Sequence, residues 1–509
     1  MKIVGIDLGT TNSVLTEYKR GIAQVIEING QKTMPSVVYI DKTGNIEVGK
    51  AAKARTISNP DNCLVSTKRD IGTNWSKNIN GKTYTPVDAA AMILEEIKNN
   101  IGDEAECVIT IPAYFNEKQR EDTLKAAQKA GLKVLRLLTE PTAAAISYGL
   151  DKEKDQTIIV IDFGGGTFDV SLLEVKGNKF TTKAVDGNSH LGGDDIDNAI
   201  VEYLLEIIKD EHGEDLRNDN KARAVLKEYA EKAKIELAGR LKTEIYIPSV
   251  GKGLTVETEL TRNQLKEMIE PILKEIVSKT NDVISSAGMD VDDINRFVLV
   301  GGSCKHPLVQ EAVKDNFKEP YFSGNLDTIV SEGAAIVCAT SGYMEEDTHP
   351  LDFKEVISHT IGESLLNPMT NRLFIRHVLT KNTEYPVKKV TVSFPVSISQ
   401  TRLLNEIYRG ESSEVYECKK LGELKINILP DAVGKEAILQ LTIFELDKNG
   451  TLHFSSAQIL RSSPEYRELQ SIITTNNYDI KDDIDFEPID RFLTKHNIER
   501  KKIEIKAVV

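Results

Sequence analysis

One short segment occurs twice. Ile6-Asp7-Leu8-Gly9-Thr10-Thr11 is echoed by Ile161-Asp162-Phe163-Gly164-Gly165-Gly166, each after an apolar run, and both the Asp and the first Gly are offset by 155 residues. A buried strand running into a glycine–threonine turn aims several backbone N–H groups at one point, a nest that holds phosphate oxygens without a lysine. Glycine lets the backbone approach closely. An Asp at the strand end suits hydrated Mg²⁺, which keeps several of its waters. Asp7 and Asp162 occupy that position, and Thr10, Thr11 and Thr167 add hydroxyls. A single Asp-x-Gly turn would read as an ordinary β-turn. Two related copies predict two similar lobes that face each other and clamp one nucleoside triphosphate from both sides.

The chain around these turns alternates strands and helices, as an α/β domain does. Strand-like runs include Lys2–Ile6, Cys107–Ile111, Ile158–Ile161 and Phe297–Val300; helical stretches include Pro86–Asn99, Lys118–Ala130, Ile196–Asp210 and Asn263–Ser278. The strand Val298–Val300 runs into Gly301-Gly302-Ser303, a further candidate nucleoside contact. Gly44–Ala51 nearly fits a P-loop, but Ala51 offers no hydroxyl for Mg²⁺ and Glu47 would face the phosphate, so the segment reads as a hairpin.

At 509 residues the chain has room for about three domains. Its character changes near Met344. Residues 343–357 read as a linker, and residues 358–460 as an antiparallel β module. Val390, Val392, Phe394, Val396 and Ile398 alternate with polar partners, the period of a half-buried strand. Asn449-Gly450, between two apolar runs, signals a hairpin. Residues 461–509 read as weakly organised, with a short helix from Ser463-Pro464 to Ile473 and a solvated acidic stretch over Asp479–Asp490.

Lys and Arg number 64 against 78 Asp and Glu, a formal net charge of −14. An acidic surface disfavours nucleic acid and anionic lipid as partners. No run approaches the ~18 apolar residues of a membrane span, and the first residues do not read as a secretory signal. Five scattered cysteines without a C-x-x-C suggest a reducing compartment, here the cytoplasm. The histidines form no zinc-binding pattern.

GIDLGTTNS (Gly5–Ser13), IPAYFNEKQR (Ile111–Arg120), EPTAAAISYGL (Glu140–Leu150), DFGGGTFDVSLLEV (Asp162–Val175), LGGDDID (Leu191–Asp197) and LVGGSCKHPLVQ (Leu299–Gln310) resemble, in order, the signature blocks of the seventy-kilodalton heat-shock chaperones. The resemblance continues more weakly through KNTEYP (Lys381–Pro386), RGES (Arg409–Ser412), LGEL (Leu421–Leu424) and DKNGTLHFSS (Asp447–Ser456). It implies an α/β, actin-like two-lobed ATPase over residues 1–342, joined by the linker to a peptide-binding β-sandwich. It puts Gly9, Thr10, Thr11 and Asn12 on the phosphates from one lobe, and Gly164, Gly165, Gly166 and Thr167 from the other. Asp7 and Asp162 would organise Mg²⁺, and Asp169 a K⁺ ion. Lys68 falls near the γ-phosphate, where a cation stabilises charge in a loose transition state. Glu140 falls where phosphate sensing meets lobe rotation. Glu231 and Lys234 match the adenosine-binding helix; Gly301, Gly302, Ser303, Lys305 and Asp327 match its opposite wall, and Gly192 and Gly193 the loop beside ribose and phosphate. Pro112, Arg120, Tyr148 and Leu150 match the transmission machinery, with Leu351 and Phe353 of the linker as coupling residues. The implied partners are extended polypeptide clients, a J-domain co-chaperone and a nucleotide exchange factor around a monomer.

The chain departs from the family pattern in several places. Ala238 stands where a serine usually meets adenosine, and Lys305 where an arginine usually covers adenine. Pro350–Glu355 replaces a longer aliphatic linker, so linker attachment should be weaker by one aliphatic side chain, about 1.5–3 kcal/mol. Residues 461–509 are too few for the family's helical lid, so bound peptide should exchange quickly. The peptide pocket is expected around Phe394, Leu403 and Leu404. The function expected is ATP-controlled binding and release of apolar segments. The alternatives are a lidless ATPase switch or scaffold, a filament-forming actin-like protein, and a sugar kinase of the same superfamily.

Overall fold

The computed structural model describes residues 2–101, 105–148, 155–322, 325–342, 351–367, 369–395, 397–430, 432–434, 436–475, 484–503 and 506–507. Leu150, linker residues 343–350, Val396 and residues 479–483 lie outside them. The chain forms two compact units, Met1–Glu355 and Val356–Val509.

The first unit is built twice on one plan. The strand Lys2–Leu8 pairs antiparallel with Asn12–Lys19 and parallel with Ala105–Ile111, while Gln156–Phe163 pairs antiparallel with Phe168–Lys176 and parallel with Arg296–Val300. In the first hairpin Asp7 faces Val14, and in the second Asp162 faces Asp169. The 155-residue offset therefore holds on both arms of the hairpin. Each sheet has its own core, and a third cluster joins them through Val108, Leu138, Ile158, Val160 and Val298. The helices Glu140–Ser147 and Ile329–Gly342 run through that cluster. They cross at very close range, because a Cβ on Gly333 would lie 1.9 Å from the Ala143 carbonyl oxygen. The small side chains of Ala143–Ala145 and Gly333–Ala335 permit that approach.

Within Gly44–Ala51, Ile46–Val48 pairs with Val38–Ile40 as a hairpin arm, and Lys50 opens the helix Lys50–Ser58. The helical run expected over Asn263–Ser278 is two helices, Arg262–Met268 and Glu270–Ser286, divided just before Pro271, which enters the second helix in its first turn.

The second unit is a sandwich of two antiparallel sheets. One contains Ile361–Asn367, Arg372–Leu379, Arg402–Arg409 and Lys419–Asn427; the other contains Val387–Ser393, Ile438–Leu446 and Leu452–Leu460. Gly450, at φ 68°, closes the expected hairpin.

Residues 461–509 are better organised than expected. The helix Pro464–Thr475 forms, and a second helix, Phe486–Lys495, buries Phe486, Ile489, Phe492 and Leu493. Both helices pack on Val390, Val392, Leu441 and Ile443 as a third layer. Lys501–Ile503 then pairs with Leu452–Leu460, and Lys506–Ala507 with Lys419–Asn427. The reading of 479–490 as a solvated stretch is thus overturned for residues 486–490. Its acids mask apolar residues at helical spacing, so net charge was the wrong guide there. The half-buried strand read over Val390–Ile398 is also corrected: the strand is Val387–Ser393, so Phe394 and Ile398 lie beyond its end. Thr391 is buried along with Val390 and Val392, because one face of this strand meets the helices and the other the opposing sheet.

Candidate nucleotide site

The two repeated turns meet. A Cβ on Gly165 would lie 1.8 Å from Thr11 Oγ1, and one on Gly166 would lie 2.3 Å from Thr10 Cγ2. Only glycine allows the lobes to approach this closely. The hydroxyls of Thr10 and Thr11 are buried with no hydrogen-bond partner, and Thr167 is buried beside them. Asn12 opens the strand Asn12–Lys19 and is exposed. Ser36 Oγ donates to the Gly9 carbonyl at 2.8 Å, fixing the first turn. The Gly164 carbonyl accepts from Gly193 N at 3.0 Å and from Ser303 Oγ at 2.8 Å, and Asp194 N donates to the Gly165 carbonyl at 2.7 Å. Gly192 lies so close that a Cβ there would fall 2.5 Å from Gly166 N. The second turn is thereby tied to the start of the helix Gly193–His212 and to the turn after Arg296–Val300, where Gly301 adopts φ 86°.

Beneath the turns is a buried charge cluster. Lys68 Nζ lies 2.7 Å from Glu140 Oε1, and both side chains are 8% exposed. Burial opposes the lysine's charge, but Glu140 and then Asp7 outweigh it and hold its pKa above the usual range. Asp7 accepts from Thr110 Oγ1 at 3.1 Å, and Asp169 Oδ1 from Tyr114 N at 2.7 Å. Burial, followed by the charge of Glu140, pushes Asp7 up to about 7 and Asp169 up to about 8. Asp162 is raised well above the carboxylate range, by burial first and then by Glu140, Asp169 and Asp7. So many desolvated acids around one lysine call for a further cation. Among the described residues no three His, Cys, Asp or Glu side chains converge closely enough to ligate a bare ion.

At the far end, Glu231 pairs with Lys53 at 2.9 Å, Lys234 with Asp197 at 2.7 Å, and Lys305 with Asp327 at 2.5 Å. Lys234 Nζ also donates to the Gly193 carbonyl at 3.1 Å, and Gly302 lies beside Asp327. The cleft is bridged by Arg69–Asp195 at 2.6 Å and by Ser66 Oγ donating to Asp194 at 2.5 Å. Sequence reasoning passed over these bridging residues and Lys53, whose local sequence gives no sign of the partner.

Pro112 and Arg120 are buried below the cluster, Arg120 Nε donating to the Phe115 carbonyl at 3.1 Å. The segment Asp352–Val356 adds in parallel to Lys179–Asn188, with Phe353 opposite Phe180. Leu351 and Phe353 pack on the central cluster, while Asp352 and Lys354 face outward. Glu355, 2% exposed, accepts from Thr139 N at 2.8 Å and from Thr139 Oγ1 at 2.6 Å. The Arg136 guanidinium lies 4.0 Å from the Phe353 ring centre and 3.7 Å from Glu355. Thr139 directly precedes Glu140. An acid in an apolar linker run was visible in the sequence, but its buried partner was not.

The expected peptide residues divide. Leu404 and Phe394 are exposed, whereas Leu403 is buried with Ile426, Ile428, Ala432 and Ile438. Leu403 therefore faces inward and Leu404 outward, since neighbours along a strand face opposite sides. Leu366, Leu373 and Phe374 are also exposed; Leu366 faces Leu373 across their strand pair.

A model of one protein family, described as Hsp70 protein, matches residues 3–506. Its members are ATP-hydrolysing chaperones that join an actin-like two-lobed domain to a β-sandwich, and the two units are consistent with that plan. The chain belongs to the Hsp70 family.

Proposed function

We propose that the chain binds and releases extended apolar polypeptide segments in a cycle set by ATP and ADP. The observation that carries this reading is the short path from the charge cluster to the linker: Lys68 to Glu140, then the adjoining Thr139 to Glu355. In this reading the turns Gly9–Asn12 and Gly164–Thr167 hold the phosphates, and Gly192 and Gly193 sit beside them. Glu231, Lys234, Gly301, Gly302, Ser303, Lys305 and Asp327 surround the nucleoside. Lys68 stabilises negative charge as the γ-phosphate departs. Asp7 and Asp162 would hold Mg²⁺ and Asp169 would hold K⁺, and these cations would offset the charge of the phosphates and the buried acids. Glu140 senses the change at Lys68, and movement of its helix disturbs the Thr139–Glu355 contact. Pro112 and Arg120 brace that movement from below. Leu404 and Phe394, with Leu366, Leu373 and Phe374, form the client surface. A J-domain protein and a nucleotide exchange factor act on the cycle. The five unpaired cysteines suit a cytoplasmic setting.

The test is release of a fluorescent apolar heptapeptide on addition of ATP, in the native chain and in Thr167→Ala. Release should quicken at least tenfold in the former and not in the latter. A second reading, a lidless switch or scaffold, is favoured by the terminal helices, which cover the sheet opposite the exposed leucines. Peptide exchange indifferent to ATP would select it.

A further inference from the structure

We propose that a cation-lined cavity astride the cleft of the first unit is a second ligand site, which takes a small anion carrying two phosphates and slows nucleotide release by holding the two lobes together. The cavity measures about 310 Å³, within the range of small-molecule sites. None of its lining residues is among those assigned to the nucleotide. Its effect on release rests on the nucleotide reading above; anion binding does not.

The two walls come from different lobes. Asp61 and Lys77 flank Leu64 and Ile79, which belong to the core of the first sheet. Opposite them stand the helices Gly193–His212 and Asn220–Gly239, whose Val201 and Leu226 belong to the core of the second sheet. On the second helix Asn220, Arg223 and Lys227 recur at spacings of three and four and so share one face. Asn220 Nδ2 donates across the cleft to Asp61 Oδ1 at 2.9 Å.

The lining is rich in donors and poor in acceptors. Lys77 Nζ donates to the Pro60 and Cys63 carbonyls at 3.1 and 2.8 Å, and among the described residues it has no carboxylate at salt-bridge distance. Burial lowers its pKa below the usual lysine range, with the charge of Asp61 opposing. An arriving anion favours such a half-buried ammonium. Arg223 uses Nη1 on Glu202 at 3.0 Å, and Lys227 lies 3.2 Å from Asp194. Asp61 is the one carboxylate among the lining residues. In a chain of net charge −14, three cations against one acid in one cavity single out an anionic ligand. Lys and Arg are the donors that suit phosphate oxygens. The lining residues include no aromatic ring on which a nucleobase could stack, so a compact phosphorylated ion fits better than a second nucleotide. Cations on both walls call for more than one phosphate.

Lys227 connects this cavity to the phosphate turns. Its partner Asp194 accepts from Ser66 Oγ at 2.5 Å, and Asp194 N donates to the Gly165 carbonyl at 2.7 Å. An anion held by Lys77 on one lobe and Arg223 on the other makes both contacts only while the cleft is closed. Anion and nucleotide would then each tighten the binding of the other.

The experiment is calorimetry on the full chain with saturating ADP and excess Mg²⁺, which keeps the nucleotide turns taken, titrated with pyrophosphate and separately with fructose bisphosphate. At least one should bind, and the tighter of the two identifies an inorganic or an organic source. Lys77→Gln combined with Arg223→Gln should weaken that binding at least tenfold. Asp61→Asn keeps an acceptor for Asn220 and should tighten it at least threefold, a gain that misfolding does not produce. The bound probe should slow release of a fluorescent ADP at least fivefold. Binding of neither probe, or unchanged binding in the double variant, would overturn the site. Binding that leaves ADP release unchanged would overturn its role in exchange. If the chain binds no ADP, the nucleotide reading fails, and titration of the nucleotide-free chain still decides whether the anion site exists.

Discussion

At the scale of single residues, the molecule concentrates its risk in Lys68 and Glu140. Each is almost dry, and each is the other's charge partner. Removing one member of such a pair leaves an uncompensated charge, at a cost of about 3–5 kcal/mol. Lys68→Met should therefore lower the thermal midpoint of the first unit as well as ATP turnover, the latter by at least a hundredfold. Adding Glu140→Leu should recover the midpoint and leave turnover low. If the double variant regained turnover, Lys68 would have no role in the chemistry. His306 makes a separate pH prediction. Burial, and then the charges of Arg262 and Lys234, lower its pKa to about 4. The folded state then binds fewer protons than the unfolded state between about 4 and 6.5. Stability from the neutral ring is complete above pH 6.5 and is lost as the pH falls through 4, with a slope of at most about 1.4 kcal/mol per pH unit. Denaturation midpoints from pH 7 to 4.5 should fall less steeply in His306→Leu; identical slopes would refute this. The repeated Asp-Gly turns were legible in the sequence because the spacing of a strand end and its glycines is local information. Lys53, Arg69 and Thr139 were not, because their partners lie far along the chain and no spacing rule links them.

Among the elements, the linker strand departs most from its expected behaviour. Counting aliphatic side chains predicts loose attachment, since Leu351 and Phe353 alone alternate inward. The structure adds a polar latch at Glu355 and a cation–π contact from Arg136 to Phe353. Contacts of the latter kind contribute about 0.5–2 kcal/mol depending on desolvation. Glu355→Ala leaves Thr139 N–H buried without this acceptor, a penalty of about 1–3 kcal/mol. The predicted result is normal ATP affinity with ATP no longer quickening peptide release, read by parallel calorimetry and peptide fluorescence. Retained ATP-dependent release would show that the latch is structural only. Of the runs named from periodicity in the first unit, the four strands and three of the four helices form to within a few residues. The break at Ile269 was missed although Pro271 was in view, because the apolar period continues across it.

For the whole molecule, the lesson concerns residues 461–509, where composition suggested looseness and packing shows a third layer. The sheet Val387–Ser393, Ile438–Leu446 and Leu452–Leu460 has an apolar patch on its outer face, Val390, Val392, Leu439, Leu441, Ile443, Ala457 and Ile459, on which the helices Pro464–Thr475 and Phe486–Lys495 pack. Six buried side chains from those helices, Leu469, Ile473, Phe486, Ile489, Phe492 and Leu493, do the covering. At about 1.5–3 kcal/mol for each buried side chain, their removal is comparable to the ~5–15 kcal/mol stability of a typical domain. Exposing Val390, Val392, Leu441 and Ile443 together would also create an aggregation-prone patch. A chain ending at Ser463 should therefore lose the cooperative unfolding transition of the second unit or appear as soluble aggregates in light scattering. The first unit, which has its own cores, should keep its midpoint and its nucleotide affinity. A truncated chain that stayed monodisperse with both transitions intact would mean that the sandwich stands without its third layer and that these helices serve another purpose.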